Sequence, residues 1–184
     1  MHRELSLDER RARSAVLIRV PNAFPLVGET RRRYTADGSR VPPHITVLSP
    51  FLAPSETTAA VHDHLLAAAS STPSFTIAFS ETGWFEDRIL YLRPEPADPI
   101  LELIARLREV FPMVAPYWNH YGAITPHMTV ADANLAGGPD RLREIESSLV
   151  PRLPLTVMIN EIALMQCIQP SPYPWNVQGS YPLA

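Results

Sequence analysis

The chain of 184 residues contains no lysine, and all sixteen of its basic residues other than histidine are arginine. A phosphate-loop lysine, a Schiff base on lysine and a lysine adenylate are therefore excluded, because each of them requires the lysine amine. The same bias, which comes with twenty prolines, is typical of genome composition and by itself indicates no function.

Cysteine is nearly as scarce. Cys167 is the only one in the sequence, so an internal disulfide cannot form, and its apolar neighbours favour a buried residue over a nucleophile. The N-terminal residues 1–14 are charged and carry no apolar core of signal-peptide length, and no apolar run is long enough to cross a bilayer. These features predict a cytoplasmic protein with no membrane role.

An excess of positive charge is also missing, since the formal net charge is -3 and the sequence pI is about 6.1. Long or duplex nucleic acid is held by many phosphate contacts, so we do not expect it as a partner. A local basic patch can still grip a short anionic ligand. With 46% hydrophobic residues the chain can bury a real core, and we expect a monomer that acts on a small phosphate compound.

A pentapeptide of the form Pro-His-apolar-Thr-Val occurs once in each half, at residues 43–47 and 126–130. In a strand, alternate side chains point to opposite faces, so the histidine and threonine of each copy share one face and the apolar residues share the other. The exposed pairs are His44 with Thr46 and His127 with Thr129. The apolar residues between them are expected to point into the core.

The elements after each pentapeptide repeat as well. Residues 54–70 predict a helix, followed by strands at 74–85 and 88–94, and the second copy leads into a helix over 141–150 and a β segment over 153–168. Residues 75–85 align without gaps on 155–165, with Thr76 on Thr156 and Glu81 on Glu161. The repeated order predicts two related lobes.

Four further segments complete the predicted order of elements. Residues 98–111 have apolar residues at helical spacing and predict a helix that covers a sheet. Residues 14–21 and 175–183 predict a first and a last strand, and the polar residues 28–40 predict a loop.

If the lobes pack about a pseudo-twofold axis, the two polar faces line one cleft with two imidazoles and two hydroxyls. Displacement at phosphorus needs a base for the incoming oxygen and an acid for the leaving oxygen, on opposite sides of the phosphorus. Histidine suits both roles because its ordinary pKa is near 6.5. The threonine hydroxyls would hydrogen-bond the non-bridging oxygens, and no metal is then required.

The two motifs, "HITV" from His44 and "HMTV" from His127, resemble the signature of the 2H phosphoesterase superfamily, which includes the bacterial 2'-5' RNA ligase-like proteins and 2',3'-cyclic phosphodiesterases. Residues 41–54 and 83–96 also resemble segments of that family. The resemblance implies an α+β, bilobal and duplicated fold over residues 1–184, with two antiparallel sheets and flanking helices around a central cleft. It implies that His44, Thr46, His127 and Thr129 form the catalytic set, without cofactor or metal.

By that resemblance the function is metal-independent hydrolysis, or reversible formation, of 2',3'-cyclic phosphate or 2'-5' linkages in RNA ends or small nucleotides. Which histidine is the base stays open. The alternative is a non-catalytic nucleotide- or phosphate-binding module of the same fold. A histidine-based metal hydrolase is disfavoured, because no cluster of histidines and carboxylates accompanies either motif.

Other polar and aromatic residues have simpler interpretations. His62 and His64 lie two apart on a predicted helix, point to different sides, and are expected to be solvated. His120 is expected on a loop surface. The arginines of residues 31–33 together with Arg40 are more consistent with a solvated loop than with a second phosphate site. Three aromatic residues either stack on a nucleobase or pack between the lobes, and these are Tyr117, Trp118 and Tyr121.

Overall fold

The computed structural model describes residues 13–36, 41–114, 124–167 and 175–184. The strands of this part are β1 Arg13–Arg19, β2 His44–Leu48, β3 Phe75–Phe85, β4 Ile89–Glu95, β5 Met128–Asp132, β6 Leu155–Ile159, β7 Glu161–Cys167 and β8 Trp175–Pro182. The α-helices are α1 Glu29–Tyr34, α2 Ala59–Ser70, α3 Asp98–Val110, α4 Ala133–Ala136 and α5 Pro139–Leu149. None of these helices is long and apolar enough to span a membrane.

The strands form two four-stranded antiparallel sheets, with the order β2-β1-β7-β8 in the first sheet and β5-β4-β3-β6 in the second. Each pentapeptide lies on an edge strand, β2 or β5, and each edge strand pairs with the strand that precedes it in the chain. The third strand of each sheet comes from the other half, since β7 lies in the first sheet and β3 in the second. The two halves are therefore interleaved, and the predicted α+β fold with two antiparallel sheets is confirmed.

The apolar residues of both pentapeptides point into one continuous core, as their alternation predicts. Ile45 and Val47 are fully buried, and so is Met128. The predicted helix over 98–111 is present as α3, and its four apolar residues at helical spacing are buried in the same core, namely Ile100, Leu103, Ile104 and Leu107. This core holds the edge strands in place, so their polar faces are directed away from it.

The segment after the first motif differs from the prediction at its start. Residues 54–56 form a single 3-10 turn, and α2 begins only at Ala59. The Glu56 carboxylate accepts a hydrogen bond from the Ala53 amide at 3.0 Å. This local bond satisfies a backbone donor before the helix, so the proline and serine that were expected to start the helix belong to the turn instead.

The β segment predicted over 153–168 is two strands, β6 and β7, separated by Asn160. The break lets the chain change sheets, because β6 pairs with β3 in the second sheet while β7 pairs with β1 in the first. The aligned segment 75–85 stays one strand but has a register shift between Phe79 and Glu81.

The prediction of a loop over residues 28–40 was wrong for its first half. Residues 24–28 form a π-helical turn that leads into α1. Glu29 pairs with Arg33 at 2.9 Å and with Arg32 at 3.3 Å, at the spacings that stabilise a helix. A polar helix of six residues has too few apolar positions to show a helical period, so the sequence pattern missed it.

Candidate active site

The two motif histidines lie where the edges of the two sheets meet. His44 is the first residue of β2, His127 immediately precedes β5, and these two strands contact each other. All four predicted site residues are half-buried, and they lie on the strand faces opposite the core residues that alternate with them. The structure thus brings the two motifs together.

Both imidazoles are held by the same type of hydrogen bond. Nδ1 of His44 lies 2.8 Å from the carbonyl oxygen of Pro42, and Nδ1 of His127 lies 2.8 Å from the carbonyl oxygen of Thr125. A carbonyl oxygen can only accept, so each Nδ1 carries the hydrogen and donates it. In the neutral imidazole this leaves the lone pair on Nε2, which is the atom available to take a proton from a substrate.

The proline before each histidine explains why this bond occurs twice. A proline restricts the residue that precedes it to an extended backbone conformation. Pro43 acts in this way on Pro42, and Pro126 acts in this way on Thr125. The carbonyl two residues before each histidine is therefore fixed relative to the ring, and the Pro-His pair of the motif has a structural purpose.

The electrostatic surroundings disfavour a charge on either ring. Burial lowers the pKa of His44 to about 3, with further lowering by the Arg31 charge and by His127, against the hydrogen bond to Pro42. Burial also lowers the pKa of His127, where the bond to Thr125 opposes it and the charge of Arg31 adds to it. Arg31 contributes to the lowered pKa at both rings, so the two imidazoles share one electrostatic environment.

Arg31 is the main part of this region that the sequence did not predict. Only 2% of it is exposed, whereas Arg32 and Arg33 on the same helix are exposed, so the expectation of a solvated arginine run was wrong for Arg31 alone. Its Nη1 donates to the carbonyl oxygen of Thr129, and its Nη2 lies 3.5 Å from Nδ1 of His44. One guanidinium thus contacts both motifs.

Two aromatic side chains pack against His127. The ring centroids of Phe85 and Tyr91 lie 4.8 Å and 5.4 Å from that of His127. Tyr91 is the register partner of Thr129 on β4, and its ring covers Gly83 on β3, where any Cβ atom would overlap it. These residues were missed because their proximity depends on the register of three strands. A glycine in the interior of β3, Gly83 before Trp84, is the sequence signal for a close approach at this position.

A second, smaller apolar cluster lies beside the first motif. Leu17 on β1 is the register partner of Thr46, so the two side chains share one face of the sheet. Leu17 belongs to a cluster that is separate from the main core and whose other members are Ala15, Val41, Ala163, Met165 and, partly buried, Trp175. The first motif therefore has an apolar wall next to its hydroxyl group.

The remaining predictions have mixed outcomes. Cys167 is buried, as expected, and His64 is exposed, as expected. His62 is half-buried rather than fully solvated, and its Nδ1 lies 2.7 Å from the hydroxyl of the buried Tyr181, a contact that joins α2 to β8. Within the described ranges no group of three or more His, Cys, Asp or Glu side chains could hold a metal ion. Five singled-out residues lie outside the described part, namely Arg40, Tyr117, Trp118, His120 and Tyr121.

A model of the 2'-5' RNA ligase superfamily matches residues 19–167, which is most of the chain and includes both motifs. The chain belongs to this superfamily. A Bacillus cytotoxicus protein with the name "Putative phosphoesterase" is 31% identical to it over 119 residues, which are 61% of this chain and 67% of that protein. A Bacillus cereus protein of the same name is 31% identical over 120 residues, with the same coverage. The resemblance to the 2H phosphoesterases is confirmed.

Solved structures with the same fold are more distant in sequence than these two relatives. TT0787 of Thermus thermophilus superimposes with a TM-score of 0.63 at 17% identity and covers 93% of this chain and 97% of its own. LigT of E. coli, solved with 3'-AMP, gives 0.52 at 19% identity and covers 94% and 98%. At such identities the likeness shows the fold, and the superposition extends over nearly the whole length of both chains.

Proposed function

We propose that the protein is a metal-independent phosphoesterase that cleaves 2',3'-cyclic phosphates or 2'-5' phosphodiester bonds in RNA ends or small nucleotides. The observation that carries the proposal is the pair of motif histidines. Each ring is fixed through Nδ1 with its Nε2 free, and the two come from sheet edges that meet. This is the arrangement that an acid and a base need to act on one phosphorus atom.

In the proposed reaction one Nε2 takes a proton from water while the water oxygen bonds to phosphorus. The bond from phosphorus to the ribose oxygen breaks, and the other histidine gives its proton to that oxygen. Thr46 and Thr129 donate hydrogen bonds to the non-bridging oxygens, whose charge grows towards the transition state. The same two groups can run the reverse reaction with a ribose hydroxyl in place of water, and hydrolysis dominates in dilute solution.

A nucleotide is the proposed substrate class for two reasons. The superfamily is named for a 2'-5' RNA ligase, and LigT of E. coli, which shares the fold, has been solved with 3'-AMP and with ATP.

A second function, nucleotide binding without turnover, has one observation in its favour. Burial lowers the pKa of both motif histidines, so both rings are neutral at neutral pH before a ligand binds. An enzyme needs one of them protonated. A bound phosphate restores that proton by its negative charge, which raises the pKa of a neighbouring imidazole.

The deciding experiment measures product formation from 2',3'-cyclic nucleotides and 2'-5'-linked dinucleotides in excess chelator. His44→Ala and His127→Ala are each expected to lose about 10²- to 10⁴-fold in turnover, the usual contribution of a general acid or base. His64→Ala is the matched control, because His64 is an exposed helix residue. Binding of the nucleotide without product would favour the second function. Activity that chelator abolishes, or motif variants as active as wild type, would contradict the proposal.

A further inference from the structure

We propose that Arg31 is a positioning residue that joins the two motifs and decides which histidine takes the proton from the attacking water. Arg31 lies against His44, and its permanent charge keeps that imidazole neutral, so His44 is the base. His127 is then the acid. This inference rests on the proposed function and deepens it. It assigns a role to a residue that belongs to neither motif.

Arg31 lies between the two halves of the chain. It lies on α1, which packs on β5, and its Nη1 donates to the main-chain carbonyl of Thr129, 98 residues further along the chain. Because β5 is an edge strand, some of its carbonyl groups point away from the sheet and have no strand partner. The guanidinium fills that position and so fixes the second motif relative to α1.

Arg31 also contacts the first motif. Nη2 of Arg31 lies 3.5 Å from Nδ1 of His44, whose hydrogen is already donated to Pro42 at 2.8 Å. Two hydrogens therefore face each other, and the contact is that of a fixed cation with the ring. A guanidinium stays charged at all ordinary pH values, so protonation of His44 would place two positive charges side by side.

The charge of Arg31 lowers the pKa of both histidines. At His44 the charge of Arg31 outweighs the opposing hydrogen bond to Pro42, whereas at His127 it is weaker than the hydrogen bond to Thr125. Burial is the largest cause at both rings, and the geometry separates them: the guanidinium contacts the His44 ring at 3.5 Å, whereas its contact with the second motif is to the main-chain carbonyl of Thr129. When the two rings share one proton over a bound phosphate, that proton lies on His127.

Within residues 13–36, 41–114, 124–167 and 175–184, the other charged groups near His44 do not reverse this result. Arg19 on β1 is the register partner of His44, but its guanidinium binds Glu161 on β7 and Ser180 on β8, and these strands lie on the opposite side of β1 from His44. On the side of His44 that faces β5, the titratable group is His127. Among the described residues, Arg31 is thus the cation that contacts the His44 ring.

The assignment gives a definite reaction. Nε2 of His44 takes the proton from the attacking water as the oxygen–phosphorus bond forms, and His127 gives its proton to the ribose oxygen as its bond to phosphorus breaks. At the end His44 is protonated next to Arg31, and His127 is neutral. Return of the proton to solvent from His44 is favoured by the Arg31 charge, so the residue also helps to reset the site.

The first test is a titration of the histidine rings by NMR, in wild-type protein and in Arg31→Met. In wild type, His44 is expected to stay neutral with hydrogen on Nδ1 to a lower pH than His127. In Arg31→Met the pKa of His44 is expected to rise towards the ordinary value, while Arg31→Lys, which keeps a charge, stays near wild type. Wild-type protein in which His44 protonates before His127 would overturn the inference, even if Arg31→Met does not fold.

The second test is the pH profile of kcat/KM, with Arg33→Met as the matched control on the exposed side of the same helix. The acid limb reports the pKa of the base in the free enzyme. This limb is expected to move to higher pH in Arg31→Met, and kcat should fall by a larger factor than KM rises. In Arg31→Lys the limb should return to its wild-type position. In Arg33→Met it should stay at the wild-type position. A folded, active Arg31→Met with the wild-type limb would refute the role of Arg31 but not the proposed function. A wild type without turnover would refute the function, while the NMR titration still tests the effect of Arg31.

Discussion

The two copies of the motif have the same backbone geometry but different surroundings. In both, a histidine next to an edge strand donates Nδ1–H to the carbonyl two residues before it, and a threonine lies two residues after it. The first histidine lies against the guanidinium of Arg31, whereas the second packs against the rings of Phe85 and Tyr91, which also contact each other. A duplicated sequence has therefore produced two imidazoles of the same orientation and unequal proton affinity.

This difference shows how a symmetric fold can supply two unlike catalytic groups. The repeat fixes where the rings point, because that depends on neighbours in the chain. The charge beside each ring depends on residues far away in the chain, which need not repeat. The two halves of the site are therefore expected to respond differently to matched substitutions.

The largest expected difference is between His44→Ala and His127→Ala on a substrate that needs no acid. In bis(4-nitrophenyl) phosphate, water attacks phosphorus and 4-nitrophenolate leaves as an anion that needs no proton. His44→Ala is expected to lose about 10²- to 10⁴-fold, as on the ordinary substrate, because the base is still needed. His127→Ala is expected to recover most of its activity. Release of nitrophenolate is followed by absorbance, and equal losses in the two variants would show that the histidines are interchangeable.

The next comparison is between Thr46→Val and Thr129→Val, which remove a hydroxyl and keep the β-branched shape. Each is expected to lower kcat by about 10²- to 10³-fold, the usual effect of removing one donor to a developing charge. The Arg31 contact survives in Thr129→Val because it involves the main-chain carbonyl. Thr76→Val, at an exposed position of β3, is the control. A loss confined to one of the two motif variants would mean that only one hydroxyl touches the phosphate.

Gly83→Ala tests the aromatic surroundings of His127 alone. The added Cβ would overlap the ring of Tyr91, which must then shift from its position against His127. We expect kcat to fall by about 10- to 10²-fold through misplacement of His127, and the free energy of unfolding to fall by about 1–3 kcal/mol. Gly179→Ala, whose Cβ would overlap Tyr181 outside the site, should lose stability but keep its activity. Equal kinetic losses in the two glycine variants would contradict a local effect on His127.

The smallest expected effect is on acid stability. The pKa of His44 is about 3 in the folded protein and near 6.5 in the unfolded chain, so between these values the unfolded state binds more protons. The free energy of unfolding therefore decreases as the pH falls through this window. His44→Gln should reduce this pH dependence more than His127→Gln does. The two variants should differ in the pH-dependent part of the free energy of unfolding by about 1 kcal/mol or more for each pH unit by which the pKa shifts of the two histidines differ. Urea unfolding at several pH values measures it, and identical slopes would show that the two rings are equally hard to protonate.

Much of the fold followed from periodicity and repetition in the sequence. The alternation in residues 44–48 and 128–132 predicted which side chains face the core, and the helical spacing in residues 98–111 predicted the buried face of α3. Both rest on hydrophobic burial, which acts on the pattern of each element separately. The ungapped match of 75–85 with 155–165 predicted the duplication.

The parts that the sequence did not predict depend on contacts between distant elements. Burial of an arginine in a six-residue polar helix has no periodic signal, because its acceptor is a main-chain carbonyl of an edge strand in the other half. The bond between His62 and Tyr181 joins residues 119 positions apart. Such pairs are set by the packing of α1 on β5 and of α2 on β8, which no local pattern encodes.

The sequence by itself determined the two Pro-His-apolar-Thr-Val strands, the face on which each histidine lies and the family to which the motifs point, because these are properties of consecutive residues. The tertiary structure alone decided that the two strands meet at the sheet edges and that one buried cation lies against the first imidazole and aromatic rings against the second. Charge and burial act through space rather than along the chain, so only the packed molecule makes the two copies of one motif chemically different.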